Sequence, residues 1–131
     1  WVNVIALTRD GHFLMERQYR HGLRYTGYEI CAGVCEPGEE PIDAARRELY
    51  EETGYGGGQW THHMTISANT STMTNLIATD VEPISTQHLE ETEDISIHLL
   101  TADEVFDLLR KDQIRQALMA APLWKYFAER K

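Results

Sequence analysis

The sequence is poor in cysteine and proline. Its 131 residues include only two cysteines, Cys31 and Cys35, and four prolines. Two cysteines are too few for a disulfide framework and lack the paired spacing of a zinc site, so we expect reduced thiols in a cytoplasmic protein. The apolar runs are too short to cross a bilayer, and the start carries no signal-peptide pattern. We therefore expect no membrane partner.

Basic residues are also scarce. Twelve Lys and Arg stand against 21 Asp and Glu, which gives a formal net charge of -9. Affinity for a nucleic-acid backbone comes from neutralising phosphates with Lys and Arg, so this balance predicts no nucleic-acid partner. The acidic excess supplies hard oxygen ligands, and a polyanionic small molecule would need a metal ion to bind beside them.

Length and composition indicate a single domain over residues 1–131. The hydrophobic content of 42% is sufficient for a core, and nine glycines with four prolines do not indicate disorder. The chain begins at Trp1, directly on an apolar segment and without a methionine. We therefore expect that an N-terminal segment is missing.

The apolar pattern predicts a mixed α/β domain. Helical spacing over residues 41–53 predicts an amphipathic helix that begins at Pro41 and ends before Gly54. A capping box at Thr101 to Glu104 predicts a second helix, and residues 113–131 continue as helix that Pro122 is expected to kink or restart. Strands are predicted over residues 2–7, 12–19, 58–69, 73–81 and 95–100, with a short extended piece at 28–31.

Three glutamates cluster on the first helix. Glu48, Glu51 and Glu52 are three and four residues apart, so their carboxylates project from neighbouring points on one helix surface. We expect that surface to lie away from the apolar positions Ile42, Ala45 and Leu49. Like charges at this spacing cost a few tenths of a kcal/mol per pair, a penalty that a hard cation removes. A solvated helix face explains a glutamate pair alone, whereas Mg²⁺ binding explains the pattern that follows.

Residues upstream of the helix complete a longer motif. Its order is Gly-x5-Glu-x7-Arg-Glu-aliphatic-x-Glu-Glu-x-Gly, formed here by Gly33, Glu39, Arg47, Glu48, Leu49, Glu51, Glu52 and Gly54. This order resembles the Nudix box at every invariant position, and only the final aliphatic position differs, as Tyr55. The seven residues fixed in type, which exclude the aliphatic Leu49, would at about 6% usage each match a random window on the order of once in 10⁸ to 10⁹, so chance does not explain the match.

The resemblance implies a fold, an activity and a set of roles. The fold would be an α/β/α sandwich with a curved mixed sheet between helices, and the activity Mg²⁺-dependent hydrolysis of a diphosphate linkage. Two or three Mg²⁺ ions are implied, with Mn²⁺ as the alternative. The metal ligands would be Glu48 and Glu52, Glu51 directly or through water, and the carbonyl of Ala32. Arg47 and Glu39 would be a supporting pair that orients the glutamates.

Segments outside the box resemble the ADP-ribose and nucleoside-diphosphate-sugar pyrophosphatase branch. The first is Arg17-Gln18-Tyr19-Arg20 with Tyr28-Glu29-Ile30-Cys31-Ala32-Gly33, which implies that Arg20, Arg17 and Glu29 contact the substrate. An exposed strand-end arginine and a structural Glu29 are the alternatives. The second is Glu90-Glu91-Thr92-Glu93-Asp94-Ile95, which implies Glu91 as first choice for general base and Glu93 as second, with Glu51 also in a catalytic role. A solvated acidic loop is the alternative.

The substrate stays open between several diphosphates. Members of that branch usually have a proline and a glutamate after the strand that follows the box, whereas residues 67–74 here contain neither. The resemblance favours an ADP-ribose-like or other nucleotide sugar as the small-molecule partner. The alternatives are a nucleoside triphosphate or dinucleotide polyphosphate, or a module that senses a nucleotide without cutting it. Because related enzymes are often homodimers, we expect this chain to form one.

Overall fold

The computed structural model describes residues 1–22 and 24–130 and contains eight strands and three helices within them. The strands are β1 (Val2–Thr8), β2 (Phe13–Arg20), β3 (Tyr25–Glu29), β4 (Cys31–Gly33), β5 (Tyr55–Gly56), β6 (Gln59–Ala68), β7 (Ser71–Pro83) and β8 (Ser96–Leu100). The helices are α1 (Pro41–Thr53), α2 (Ala102–Arg110) and α3 (Ala117–Glu129).

The strands form one mixed sheet. Its main path runs β3-β2-β1-β7-β5, with β4 paired to β1, β6 to β7 and β8 to β2. The β1–β7 pair is parallel and the other pairs are antiparallel. Because β1 and β7 are parallel neighbours, the chain between them must cross the sheet, and α1 lies in that crossover.

The sheet lies between helices on both faces. Successive β1 residues point to opposite faces, so Val2, Val4 and Ala6 pack toward α1 while Ile5 and Leu7 pack toward α2 and α3. The first core also includes Ala44, Ala45 and Leu49 of α1, and the second includes Val105, Leu109, Met119 and Leu123. The predicted α/β/α sandwich with a mixed sheet is therefore confirmed.

Most element boundaries follow the prediction closely, although the short strand β5 was not predicted. Residues 28–31 are not one extended piece, because β3 ends at Glu29 and β4 begins at Cys31. The C-terminal helix begins at Ala117 rather than at residue 113, and it runs through Pro122 as one element instead of restarting there. Lys131, the last residue of the predicted helix, lies outside the described residues. The capping box of α2 is confirmed in both directions between Thr101 and Glu104.

Pro122 is accommodated by a buried side chain from β1. A proline has no N–H, so the carbonyl of the residue four positions earlier, Leu118, loses its helical partner. The Nδ2 of Asn3 donates to this carbonyl at 2.9 Å. Asn75 Nδ2 in turn donates to Asn3 Oδ1 at 2.6 Å, and Asn75 Oδ1 lies 2.8 Å from His63 Nδ1. This polar network ties α3 to the centre of the sheet.

No helix among residues 1–22 and 24–130 has both the length and the apolar character needed to span a bilayer.

We predict that Asn3→Ala lowers the free energy of unfolding by about 2–4 kcal/mol. The substitution leaves the Leu118 carbonyl and the Asn75 amide without these partners, and each unsatisfied buried group costs about 1–3 kcal/mol. Urea denaturation measures the change, with the exposed Gln59→Ala as control, expected to stay within about 0.5 kcal/mol. Equal stability of the two variants would contradict the role given to Asn3.

Candidate functional site

An open groove of about 1350 Å³ lies over the box helix. Its walls come from β2, β4, α1, the loop between β7 and β8, the β6–β7 hairpin and the start of α3. The charged residues that line it are Arg20, Glu36, Arg47, Glu48, Glu51, Glu52, Glu90 and Glu93. Six carboxylates and two guanidiniums therefore face one cavity, which fits a polyanion bound with the help of cations.

Helix α1 has sharp ends that fix the position of the glutamates. Pro41 occupies its first turn, and Gly54 ends it in the left-handed conformation with φ of 76°, donating its N–H to the carbonyl of Tyr50. Gly33 makes room for the helix from the other side, because a Cβ at this position would collide with the side chain of Glu48. A side chain at the first glycine of the motif would thus displace the Glu48 carboxylate from its position against β4.

The three box glutamates do not share one exposed surface. The side chains of Glu48 and Glu51 are 15% and 42% exposed, while Glu52 is 8% exposed as a residue. The expectation that all three lie away from the core is wrong for Glu52. Positions 45, 49 and 52 follow one helical stripe, so Glu52 continues the apolar face of Ala45 and Leu49 and turns inward.

Arg47 connects the loop of residues 34–40 to the glutamates of α1. Its guanidinium donates two hydrogen bonds to Glu39, both 3.0 Å, and one each to Glu48 at 3.0 Å and Glu51 at 3.3 Å. It also donates to the carbonyl of Val34 at 3.0 Å. The hydrogen bonds that Arg47 donates to Glu39 lower the pKa of Glu39, and they are the largest cause of the raised pKa of Arg47. This geometry fits the supporting pair that the sequence predicted.

Burial makes the remaining glutamates costly as bare anions. Burial is the main cause that raises the pKa of Glu52 to about 7, and it also raises the pKa of Glu48. The Oε1 atom of Glu52 is buried without a hydrogen-bond partner among the described residues. A divalent cation bound at Glu52 would offset the repulsion between the carboxylates of α1. Glu48, Glu51, Glu52 and the neighbouring Ala32, which lines the same groove, fit an oxygen-ligated ion.

Glu16 is a buried acid that the sequence reasoning missed. It lies on β2 with 3% exposure, and its Oε2 lacks a partner among the described residues. Burial, followed by the neighbouring Glu52, raises its pKa well above the usual range. The signal in the sequence is a charge that directly follows the apolar run Phe13-Leu14-Met15, two positions after a core residue and therefore on the same strand face.

Of the predicted substrate residues, Arg20 is in the groove. Its guanidinium pairs with Glu29 through two hydrogen bonds of 2.7 and 2.9 Å, and Gln116 donates to the same carboxylate at 2.9 Å. Glu29 is 5% exposed and so holds Arg20 in place from behind. Arg17 alternates to the other face of β2, where it contacts the ring of Tyr28, and it is absent from the groove wall in the part of the chain described.

The acidic loop separates the two general-base candidates. Glu93 lines the groove, and its Oε1 accepts from the backbone N–H of Glu90 at 2.9 Å. Glu91 is exposed and is not among the groove-lining residues that the structure describes. The geometry therefore favours Glu93, the second choice from sequence, over Glu91. The two side chains differ because the 90–93 turn directs only one of them inward.

Two further residues fasten this loop to α1. Gln87 Nε2 donates to the carbonyl of Glu52 at 2.8 Å and to that of Ile95 at 2.9 Å. The N–H of His88 donates to the carbonyl of Glu51 at 2.6 Å, and its ring stacks on Tyr50 at 5.0 Å. Neither residue has a local motif, so only the folded chain reveals this attachment. It places Glu93 beside the box glutamates.

We predict that Arg47→Lys lowers the free energy of unfolding by about 1–3 kcal/mol in buffer without divalent metal. Lysine keeps the charge but cannot form the planar fork that contacts three carboxylates and a carbonyl. Urea denaturation is the measurement. Arg46→Lys, an exposed change on the adjacent residue, is the matched control and should stay within about 0.5 kcal/mol. An unchanged Arg47 variant would show that the fork contributes little.

Comparisons with known proteins agree with this site. The chain is 52% identical over 54 residues to the ADP-ribose pyrophosphatase of Bacillus subtilis (strain 168), covering 41% of this chain and 29% of that protein. It is 29% identical over 119 residues to the ADP compounds hydrolase NudE of Escherichia coli (strain K12), covering 88% of this chain and 63% of that protein. The chain thus spans less than two thirds of either relative's length.

A solved structure and a family profile extend the match to most of the chain. The crystal structure of an ADP compounds hydrolase superposes with a TM-score of 0.85 at 26% identity, covering 98% of this chain and 70% of that one. The profile of the NUDIX domain matches residues 2–121. With the box, the fold and the acidic groove in place, the chain belongs to the Nudix family.

Proposed function

We propose that this chain hydrolyses the diphosphate linkage of a nucleoside diphosphate joined to another moiety. The preferred substrate class is an ADP-ribose-like or other nucleotide sugar, and the products are a nucleoside monophosphate and a sugar phosphate. The observation that carries the proposal is the convergence of Glu48, Glu51 and Glu52 with Arg20 on one groove. The similarity to an ADP-ribose pyrophosphatase of B. subtilis and an ADP compounds hydrolase of E. coli supports the same substrate class.

Mg²⁺ is the ion that fits the donor set best, with Mn²⁺ as the alternative. The residues that would hold it are Glu48, Glu52, Glu51 and the carbonyl of Ala32, all oxygen donors of the kind that Mg²⁺ prefers. When bound, two or three such ions would supply charge neutralisation for the phosphoryl oxygens. The number of ions is part of the proposal.

The protein's own groups divide the remaining work. Arg20 binds phosphate oxygens, because its planar guanidinium is already oriented by Glu29 and its exposed edge faces the groove. Glu93 accepts the proton of the attacking water, with Glu91 as the alternative and Glu51 available nearby. Arg47 and Glu39 keep the carboxylates of α1 in place. Arg17, on the other face of β2, is assigned no substrate contact.

The groove also offers a surface for the nucleoside. Trp1 is 55% exposed and lines the groove, so its indole is available to stack on a base. The nearby hairpin contributes Ser71, Thr72 and Met73 where branch members usually have a proline and a glutamate. We propose that hydroxyl groups replace those contacts, so the bound sugar need not be ribose.

Three further proposals concern the type of substrate, the cellular compartment and the oligomeric state. A small-molecule substrate rather than a nucleic acid fits the net charge of -9, since a phosphate backbone would be repelled outside the groove. The free thiols of Cys31 and Cys35 suit a reducing compartment such as the cytoplasm. We propose that the chain forms a homodimer, and light scattering on the purified protein tests this by measuring its molar mass.

A substrate panel tests the proposed function. We expect the highest kcat/KM for a nucleoside-diphosphate sugar, lower values for nucleoside triphosphates and dinucleotide polyphosphates, and no turnover in EDTA. With ADP-ribose the products to assay are AMP and ribose 5-phosphate. A preference for triphosphates would favour the alternative hydrolase, and an inert protein that still binds nucleotide would identify a sensing module.

We predict that Glu52→Gln lowers kcat by more than about 100-fold while the fold is retained. Loss of a group that only orients a metal ligand costs about 10- to 100-fold, so loss of a ligand should cost more. Steady-state kinetics with Mg²⁺ and circular dichroism are the measurements. Glu40→Gln, an exposed change just before α1, is the control and should be near wild type. Near-normal turnover in the Glu52 variant would refute the metal assignment.

Paired variants identify the general base. We predict that Glu93→Gln lowers kcat by about 10²- to 10⁴-fold, the usual contribution of a positioned acid or base, with little change in KM. Glu91→Gln, two positions away on the same loop, should remain within a few fold of wild type. The opposite ranking would return the role to Glu91. Equal small effects would show that neither carboxylate takes the proton.

A further inference from the structure

Three buried side chains converge behind the groove wall that Glu52 forms. Glu16 comes from β2, Cys31 from β4 and Glu52 from α1, and they are 3%, 1% and 8% exposed. One potential ligand atom of each, two carboxylate oxygens and a thiol sulfur, lies within 4.8 Å of the other two. Elements far apart in sequence thus bring three metal-ligating groups to one point in the interior.

Among the described residues, one carboxylate oxygen of Glu16 and one of Glu52 lack a partner from outside this cluster. Glu16 Oε2 and Glu52 Oε1 are both buried, and neither has a hydrogen-bond partner within residues 1–22 and 24–130. Burying a carboxylate without pairing costs several kcal/mol, which a protein normally avoids. Leu14 belongs to the same core cluster as Cys31 and is apolar, so it cannot satisfy these atoms. A single cation bound to both carboxylates would satisfy these two oxygens.

The donor set differs from that of the groove. Glu48, Glu51 and the Ala32 carbonyl offer only oxygen, which suits Mg²⁺, whereas Cys31 adds a sulfur that Mg²⁺ does not favour. Thiolate with carboxylate is the ligand combination of Zn²⁺ and similar transition ions. We propose that Glu16, Cys31 and Glu52 form a second, inner binding site for a divalent transition-metal ion of the Zn²⁺ type.

Binding at this inner site is a proton exchange. The Cys31 thiol releases its proton to solvent as the sulfur–metal bond forms, and any proton held between Glu16 and Glu52 leaves as well. No oxidant or reductant is needed. Glu52 belongs to both donor sets, so the inner site adjoins the groove site while Glu16 and Cys31 belong to the inner site alone.

Cobalt reports the ligand chemistry directly. Co²⁺ is added to the metal-free full chain under reducing conditions and absorbance is recorded. We expect a thiolate-to-cobalt charge-transfer band in the near ultraviolet that saturates at one ion per chain and is bleached by Zn²⁺. Oxygen-ligated cobalt in the groove produces no such band. A wild-type spectrum without the band would overturn the proposal.

Variants assign the band to its ligands. Cys31→Ser should abolish it, and Cys35→Ser, the matched change at the other thiol, should retain it. Glu16→Gln should weaken Co²⁺ binding by about 10-fold or more. Loss of the band in the Cys35 variant, or unchanged binding in the Glu16 variant, would also overturn the site. Circular dichroism checks folding, and if the Cys31 variant does not fold, the Cys35 and Glu16 variants still decide.

Glu48→Gln separates this proposal from the hydrolytic one. Glu48 belongs only to the groove site, so its variant should lose Mg²⁺-dependent turnover and keep the cobalt band. If the wild-type protein is inactive on every substrate but shows the cobalt band, the inner site is supported and the proposed hydrolase activity is not. Loss of the band in the Glu48 variant would mean that the ion sits in the groove, against the proposal.

Discussion

The guanidinium of Arg47 is the contact on which the geometry of the groove depends. It spans the distance between the 34–40 loop and α1, and binds Glu39, Glu48 and Glu51 together with a backbone carbonyl. Without this positive charge the carboxylates would repel one another, and the loop would lose its hydrogen bonds to Arg47 of the helix. One side chain therefore sets both the shape of the groove wall and the spacing of the acidic groups.

The sequence predicted what local chemistry determines. The bounds of α1 were correct because Pro41 and Gly54 mark its ends. Strands β1 and β2 were placed to within one residue because each contains a continuous buried apolar run. The box spacing identified the family because it records a helix, a loop and a charged pair at once. The roles of its individual residues remain proposals that the geometry supports.

What the sequence did not predict depends on contacts between distant segments. The inward turn of Glu52 could have been read from its helical stripe, but its neighbours Glu16 and Cys31 come from strands β2 and β4. The start of α3 was misplaced because the sequence of residues 113–116 has the same helical pattern as the helix that follows it, although these residues lie outside α3. Pro122 continues the helix because Asn3, which is 115 positions from Leu118 along the chain, satisfies the freed carbonyl of Leu118. Such compensation has no local signal.

The attachment of the acidic loop by Gln87 has an evolutionary consequence. This amide bonds at once to the last turn of α1 and to the residue that precedes β8, so it closes the base of the loop. Insertions or deletions between residues 88 and 94 would then alter only the protruding part and leave the sheet register untouched. Relatives could change how far an acidic side chain reaches across the groove, and so the size of molecule accommodated, without rebuilding the scaffold.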